Sequence, residues 1–334
     1  MTIDELEERL SEPTPAVVAA LDALDGDFLI LGAAGKMGPT LARMAKRAVG
    51  KKRRVIAVSR FSDPATRAAL ELAEVETIGA DLLDVDALLA LPDVENIVFM
   101  AGMKFGATGN EPLTWAMNSF LPGLVCQRFT TSRIAAFSTG NVYPLTPLHQ
   151  GGSVEADAPG PVGEYAQSCL GRERIFEYFA NTYETPVSLL RLNYAVELRY
   201  GVLCDLARKV WEGTPISVAM AAVNVVWQGD ANAWALQSLA HASSPAAIFN
   251  LAGPEQLSVR RLATQLGKLL GKEPHFEGEE APLALLSNGQ KAHRVFGYPT
   301  VPIEQVLEWT AAWIKNGGPT LGKPTKFEVR DGKF

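Results

Sequence analysis

The sequence predicts an α/β fold, a doubly wound parallel sheet with a smaller C-terminal α/β portion. Two observations carry that expectation. The apolar run Phe28-Leu-Ile-Leu breaks into glycines at Gly32, Gly35 and Gly38, then continues into the helix-forming Pro39-Thr-Leu-Ala-Arg-Met-Ala-Lys-Arg47. A buried strand, a tight turn and a helix thus follow one another directly. Beyond them, strand-like apolar runs alternate with helical segments as far as Ser138, the pattern of a parallel sheet covered on both faces.

The glycine turn is also the first candidate site. A β-carbon there would hold a pyrophosphate away from the backbone. The open N–H groups of the following helix start turn the positive end of a dipole toward phosphates. In this strand–turn–helix context the spacing reads as a dinucleotide fingerprint.

A second strand is expected over Arg54–Ser59. The residue ending such a strand meets the adenosine ribose, where a carboxylate would accept from both hydroxyls. Here Ser59 is followed by Arg60, a pair suited to a phosphorylated ribose, and Lys36 offers a second positive charge. NADP is therefore favoured over NAD, while Asp63 is close enough to take the acidic part if NAD is used. A helix follows over Ala65–Val75 and a third strand over Glu76–Asp81. Asp81 is placed to face the adenine and Asp84 to cap a helix over Val85–Leu91. The fourth strand, Asn96–Gly102, ends in small residues that let a cofactor lie close, with Lys104 just beyond. A helix from Pro112 to Phe129 carries Asn118 and is expected to kink at Pro122. The fifth strand, Ile134–Ser138, runs into Thr139-Gly-Asn-Val-Tyr143.

Composition narrows the function. Hydrophobic residues make up 47% of 334, enough for a substantial core, and the net charge of −6 argues against nucleic acid as a main partner. Cys126, Cys169 and Cys204 show neither metal-ligand spacing nor a paired framework, so no metal is expected and a reduced, cytoplasmic compartment fits. No leader is expected, and Val17–Leu24 is too short to span a membrane.

By Thr139 the sequence resembles the extended short-chain dehydrogenase/reductases, the sugar-nucleotide epimerase/dehydratase group with its Rossmann domain. The glycine spacing, Asp81-Leu-Leu-Asp84, Asn118, Phe137-Ser-Thr-Gly-Asn-Val-Tyr143, Glu164-Tyr-Ala-Gln-Ser-Cys-Leu-Gly-Arg-Glu173, Arg191-Leu-Asn-Tyr194 and Phe249-Asn-Leu-Ala-Gly-Pro254 fall in order. The resemblance covers roughly residues 27–315. It implies an NAD(P)-dependent enzyme moving a hydride to or from a hydroxyl or keto carbon of a sugar-nucleotide or related compound. The implied cofactor residues are Gly32, Gly35, Lys36, Met37, Gly38, Ser59, Arg60, Asp81, Leu82, Ala101, Gly102, Asn118, Tyr165 and Asn193. A homodimer is implied as well, paired through the helices near 112–129 and 163–181.

In that family a Ser or Thr, a Tyr and a Lys do the chemistry. The resemblance gives Thr139 the substrate oxygen and Tyr165 the general acid/base role. The Lys should stand four residues after the Tyr, one turn on along the same helix face; that position is Cys169. A lysine charge about 5 Å away at a dielectric near 20 is worth roughly 3 kcal/mol, or about two pKa units on the tyrosine. Three readings stay open. Another cation takes over, Lys104 ahead of Arg172; or Tyr165 donates its proton as the neutral acid; or the protein binds a dinucleotide and catalyses nothing. As a lone thiol in mid-helix, Cys169 itself reads as a core residue.

The second half continues the sheet with Val187–Leu192 and returns with Ile248–Gly253. In the loop between, Arg199 and Tyr200 are substrate candidates, a guanidinium fork for an acid group and a ring to cover a sugar or base, with Asn141 beside Thr139. Arg191 reads as structural, and Asp230 as the cap of a helix over Ala231–Ala240. The expected organisation is a helical arm over 1–26, a dinucleotide-binding domain over 27–193 with parts of 220–255, a mainly substrate-binding portion over 194–316, and a tail over 317–334. The tail reads as a loose strap or a subunit contact.

Overall fold

The computed structural model describes residues 1–104 and 106–332. Seven parallel strands form its centre: β1 Phe28–Leu31, β2 Val55–Ser59, β3 Glu76–Gly79, β4 Asn96–Phe99, β5 Arg133–Thr139, β6 Val187–Leu192 and β7 Ala247–Leu251. Their spatial order is β3-β2-β1-β4-β5-β6-β7, so the chain reverses its winding direction between β1 and β4. At that crevice, outside the carboxyl ends of the strands, sheets of this kind bind ligands.

Alternation explains why the central strand β1 is apolar throughout. Phe28 and Ile30 face one layer of helices, Leu29 and Leu31 the other. The helices in chain order are α1 Ile3–Leu10, α2 Pro15–Asp22, α3 Gly38–Val49, α4 Pro64–Leu72, α5 Val85–Leu89, α6 Glu111–Trp115, α7 Leu121–Arg128, α8 Gly163–Tyr183, α9 Val202–Glu212, α10 Gln228–Gln237, α11 Val259–Leu270, α12 Gln290–Phe296 and α13 Ile303–Lys315. Helices α2, α3 and α10 share the core of the first face; α7 and α8 share that of the second. A separate core joins α9, α11 and α13, and α1 adds Leu6 and Leu10 to it. The arm is therefore part of the packing. Its Glu7 and Glu8 pair with Arg43 of α3 at 3.4 and 2.6 Å.

Three expectations change. The helix expected from Pro112 to Phe129 runs from Glu111 to Arg128 but changes its hydrogen bonding in the middle. Between α6 and α7 the segment Ala116–Phe120 is a π turn; Pro122 follows it, and the Asn118 carbonyl four residues earlier, which Pro122 has no N–H to meet, accepts from Arg172 Nε at 3.3 Å. Asp230 does not cap α10. It lies inside the first turn, and its carboxylate accepts from the Thr300 N–H at 2.9 Å and the Thr300 hydroxyl at 2.7 Å. The tail is not loose: Phe327 is 1% exposed and joins the α9–α11–α13 core. Lys333 and Phe334 lie outside the described residues.

Candidate active site

The turn after β1 is built from backbone. Gly32 has φ +86°, and a β-carbon on it would stand 2.6 Å from Ala101 N. One on Gly38 would run into the Ala33 carbonyl. The Gly35 N–H returns to Gly32 O at 3.1 Å, which closes the turn. Helix α3 then begins beside Met37 with no side-chain cap, so its first N–H groups face outward to an anion. A cradle that a β-carbon would fill, set against an uncapped twelve-residue helix, fits a dinucleotide's phosphates.

Along the open edge, Ser59 ends β2 half-buried and Arg60 is exposed. The Asp63 carboxylate is engaged in capping α4 at the Ala65 N–H, 3.0 Å away. Asp81 is exposed and accepts from the Leu83 N–H at 3.1 Å, while Leu82 is buried in the core under β2 and β4. Ser59, Arg60, Asp81, Leu82 and Ala101 do not line the cleft beyond the turn. Lys36 does line it, and points away from β2. Its amine donates to Ala195 O at 2.9 Å and sits 3.6 Å from the centre of the Tyr200 ring. It is therefore not beside the ribose position that its sequence neighbourhood suggested. Burial pushes this amine down to about 7, against the pull of Glu197.

Across the cleft, Thr139 ends β5 and Tyr165 stands in the first turn of α8. The Tyr165 hydroxyl meets the Thr139 and Cys169 side chains, and Thr139 Oγ1 accepts from the Asn141 N–H at 3.2 Å. Burial and the Cys169 thiol lift the phenol well above its ordinary value, and Arg172 opposes them. The phenol is therefore neutral near pH 7, a proton donor rather than a ready base.

Two cations reach this centre. Lys104 Nζ stands 5.9 Å from the centre of the Tyr165 ring, its pKa lowered by burial to about 8. Arg172 lines the cleft from α8, seven residues after Tyr165. Its guanidinium donates to Phe137 O at 2.7 Å and to Asn118 Oδ1 at 2.6 Å. Asn118, in the π turn, also receives the Met103 N–H at 2.9 Å and donates to Met103 O at 3.0 Å. The segment carrying Lys104 is thus pinned by Asn118, whose amide atoms serve the chain itself. Gly102 is required there because a β-carbon would meet Arg172 and Asn118.

Asn193, Asn141 and Tyr200 line the same cleft; Arg199 does not. Its guanidinium is held by Glu7 of the arm at 2.7 Å and Glu197 at 3.2 Å. Arg191 is 2% exposed and bound to Glu173 at 2.7 Å, and Glu173 also receives the Ser138 hydroxyl. Among the described residues no cluster of His, Cys, Asp and Glu could hold a metal ion, and no helix is long and apolar enough to cross a membrane.

This geometry coincides with a family match over residues 28–197, which fit the NAD dependent epimerase/dehydratase family. The chain belongs to that family. Epimerases and dehydratases of known structure share the fold. UDP-glucuronic acid 4-epimerase from Bacillus cereus in complex with NAD superposes with a TM-score of 0.73 at 20% identity, over 87% of this chain and 99% of that one. DesIV, the dTDP-glucose 4,6-dehydratase of Streptomyces venezuelae with NAD and TYD bound, gives 0.74 at 19%, over 87% and 97%. This epimerase/dehydratase-family chain thus carries material that those folds lack. Sequence comparison with curated proteins finds no significant relative.

Sequence reasoning ranked Arg172 behind Lys104 and missed Tyr194, Val202 and Thr325, all of which line the cleft. The spacing of Tyr165, Cys169 and Arg172 along one helix face was a usable signal for Arg172. Thr325 had none, since nothing in the tail's composition shows where it docks.

Proposed function

We propose that the chain is an NAD(P)-dependent oxidoreductase or epimerase acting at a hydroxyl or keto carbon of a sugar-nucleotide or related compound. One observation carries this reading: Tyr165 and Thr139 share a cleft with the glycine turn, and two cations stand beside them. Gly32, Gly35, Met37 and Gly38 would hold the phosphates of the cofactor, whose nicotinamide supplies or accepts the hydride. Thr139 orients the substrate oxygen. Tyr165 gives a proton from its hydroxyl when a carbonyl is reduced and takes one when an alcohol is oxidised. Lys104 and Arg172 stand in for the lysine whose place Cys169 occupies, favouring the phenolate in the oxidising direction. The raised phenol makes reduction the easier direction at neutral pH. Dehydration ranks lowest, since Gly140 and Asn141 put no acid beside Thr139.

Ser59 and the exposed Arg60, with Asp63 engaged in capping α4, favour NADP at the ribose. Three buried free thiols fit a reducing, cytoplasmic compartment. A homodimer would cover Phe120 and Tyr178, which stand 59% and 53% exposed beside α7 and on α8.

The missing lysine favours a second reading, a dinucleotide-binding regulatory or scaffold protein. Fluorescence titration with NAD and NADP, followed by reduced-nicotinamide absorbance across a panel of sugars, sugar-nucleotides and ketones, separates the two. Binding with turnover is expected. Binding with no turnover anywhere in the panel would favour the second reading, and no binding of either cofactor would defeat both.

A further inference from the structure

Lys36 belongs to the glycine turn, but the loop after β6 holds its amine. Nζ donates to Ala195 O at 2.9 Å and stands 3.6 Å from the centre of the Tyr200 ring. Lys36, Lys104 and Arg172 all line the cleft, and among the described residues no Asp or Glu does. The partners of the Lys36 amine are thus a carbonyl and a ring, both neutral. Glu197, buried at 1% exposure, pulls hardest on it. That carboxylate is taken up by Arg199, accepting from its N–H at 2.8 Å and its Nε at 3.2 Å. Asp205, in the first turn of α9, pulls more weakly and receives the Thr325 N–H and hydroxyl at 2.8 and 2.6 Å. Lys104 and Arg199 repel the amine. Burial outweighs the pull of the acids and brings the amine down to about 7.

A buried amine with only neutral partners is stabilised by an anion brought beside it. The turn that carries Lys36 offers a place for one, through its missing β-carbons and the uncapped start of α3. A lysine stem is four carbons long and rotates freely, so an amine that reaches Ala195 can swing back toward its own turn. We propose that Lys36 is a latch, held by Ala195 and Tyr200 in this structure, which releases both to close on the dinucleotide's phosphates and takes up a proton as it does so. This rests on the functional reading above, adds a pH dependence to its cofactor site, and assigns Tyr200 to the latch. Above pH 7 the latched amine is mostly neutral, whereas a phosphate beside it keeps it protonated. Binding therefore draws about one proton per site from solvent near pH 8, and affinity falls by up to about tenfold per pH unit above 7. Lys104, with a pKa of about 8 in the same cleft, adds its own uptake in parent and Lys36 variants alike. The difference between them is the readout.

Calorimetry on the full chain at pH 8, in two buffers of different ionisation enthalpy, counts the protons. NAD and NADP are titrated first; no binding of either overturns the functional reading, and the latch with it. With the cofactor that binds, the parent chain is expected to take up about one proton more than Lys36→Met. ADP-ribose, or its 2′-phosphate if NADP is the cofactor, lacks the nicotinamide and is expected to show the same difference. Lys36→Arg keeps a charge that it cannot lose. At pH 8.5 it is expected to bind the cofactor about tenfold more tightly than Lys36→Met, without the extra proton. Equal uptake in the parent and Lys36→Met overturns the latch, and so does a Lys36→Arg affinity no better than that of Lys36→Met. No difference with ADP-ribose or its 2′-phosphate, beside one with the full cofactor, overturns the assignment to phosphates.

Discussion

At the glycine turn, recognition is a matter of backbone. Three missing β-carbons and an uncapped helix start make the proposed anion site, and all of it lies within the stretch 32–40. Around Tyr165, by contrast, recognition is assembled from side chains. Thr139 comes from β5, Tyr165, Cys169 and Arg172 from α8, Lys104 from the segment after β4, and Thr325 from the tail. The first kind of site tolerates almost no change, because an added carbon collides with main chain. The second tolerates exchange, because another element can deliver the same charge. Cys169 at the position where the resemblance expects a lysine, beside a complete glycine turn, fits that difference.

The contrast can be broken most severely at the backbone end. Gly38→Val drives carbon into the Ala33 carbonyl and is expected to weaken dinucleotide binding by about 100-fold or more, with a fall in thermal stability. Fluorescence titration beside a melting curve reads both; near-parental affinity would show that the turn does not hold phosphates. At the other end, Tyr165→Phe is expected to lower turnover by about 10²–10⁴ while cofactor affinity stays within a few-fold. Equal losses in both quantities would place the phenol in cofactor binding rather than proton transfer.

Lys104→Ala sharpens the question of the substitute charge, with an expected loss of about tenfold in alcohol oxidation. Its amine has a pKa near 8, so it is charged below that pH and fades above it. The gap between parent and variant should therefore be widest below pH 8 and close on the alkaline side. A pH-independent gap, or none, would hand the role to Arg172.

The smallest effect concerns stability. The folded Lys36 amine has a pKa near 7 against an ordinary 10.5, so the unfolded chain binds more protons between those values. Stability from this group thus rises with pH across the window, by at most about 1.4 kcal/mol per pH unit. Lys36→Met should lose that rise. Buried thiols pull the other way above about pH 8.5 in both proteins, so the difference between two denaturation series is the readout. Identical pH dependence would mean the amine is not desolvated.

The α/β alternation, the parallel sheet and the tight glycine turn were legible because each rests on local pattern. Apolar strands of four to seven residues and the glycines at 32, 35 and 38 announce themselves within a few positions. Asp84 could be read as a cap for the same reason. Asp230 misled because its carboxylate found Thr300, 70 residues away, instead of its own helix start. Arg199 misled likewise: a fork suited to a ligand's acid group is held by Glu7 of the arm.

What local chemistry settles in advance, then, is the sheet, its winding and the glycine turn, since strand burial and φ preferences act over short stretches. Which amine faces Tyr165, where Lys36 turns and what closes the cleft were decided only on folding. Those outcomes depend on partners far apart in the chain, 159 residues between Lys36 and Ala195 and 120 between Asp205 and Thr325. No periodicity or spacing encodes such meetings, because a side chain's partner is fixed by how whole elements pack.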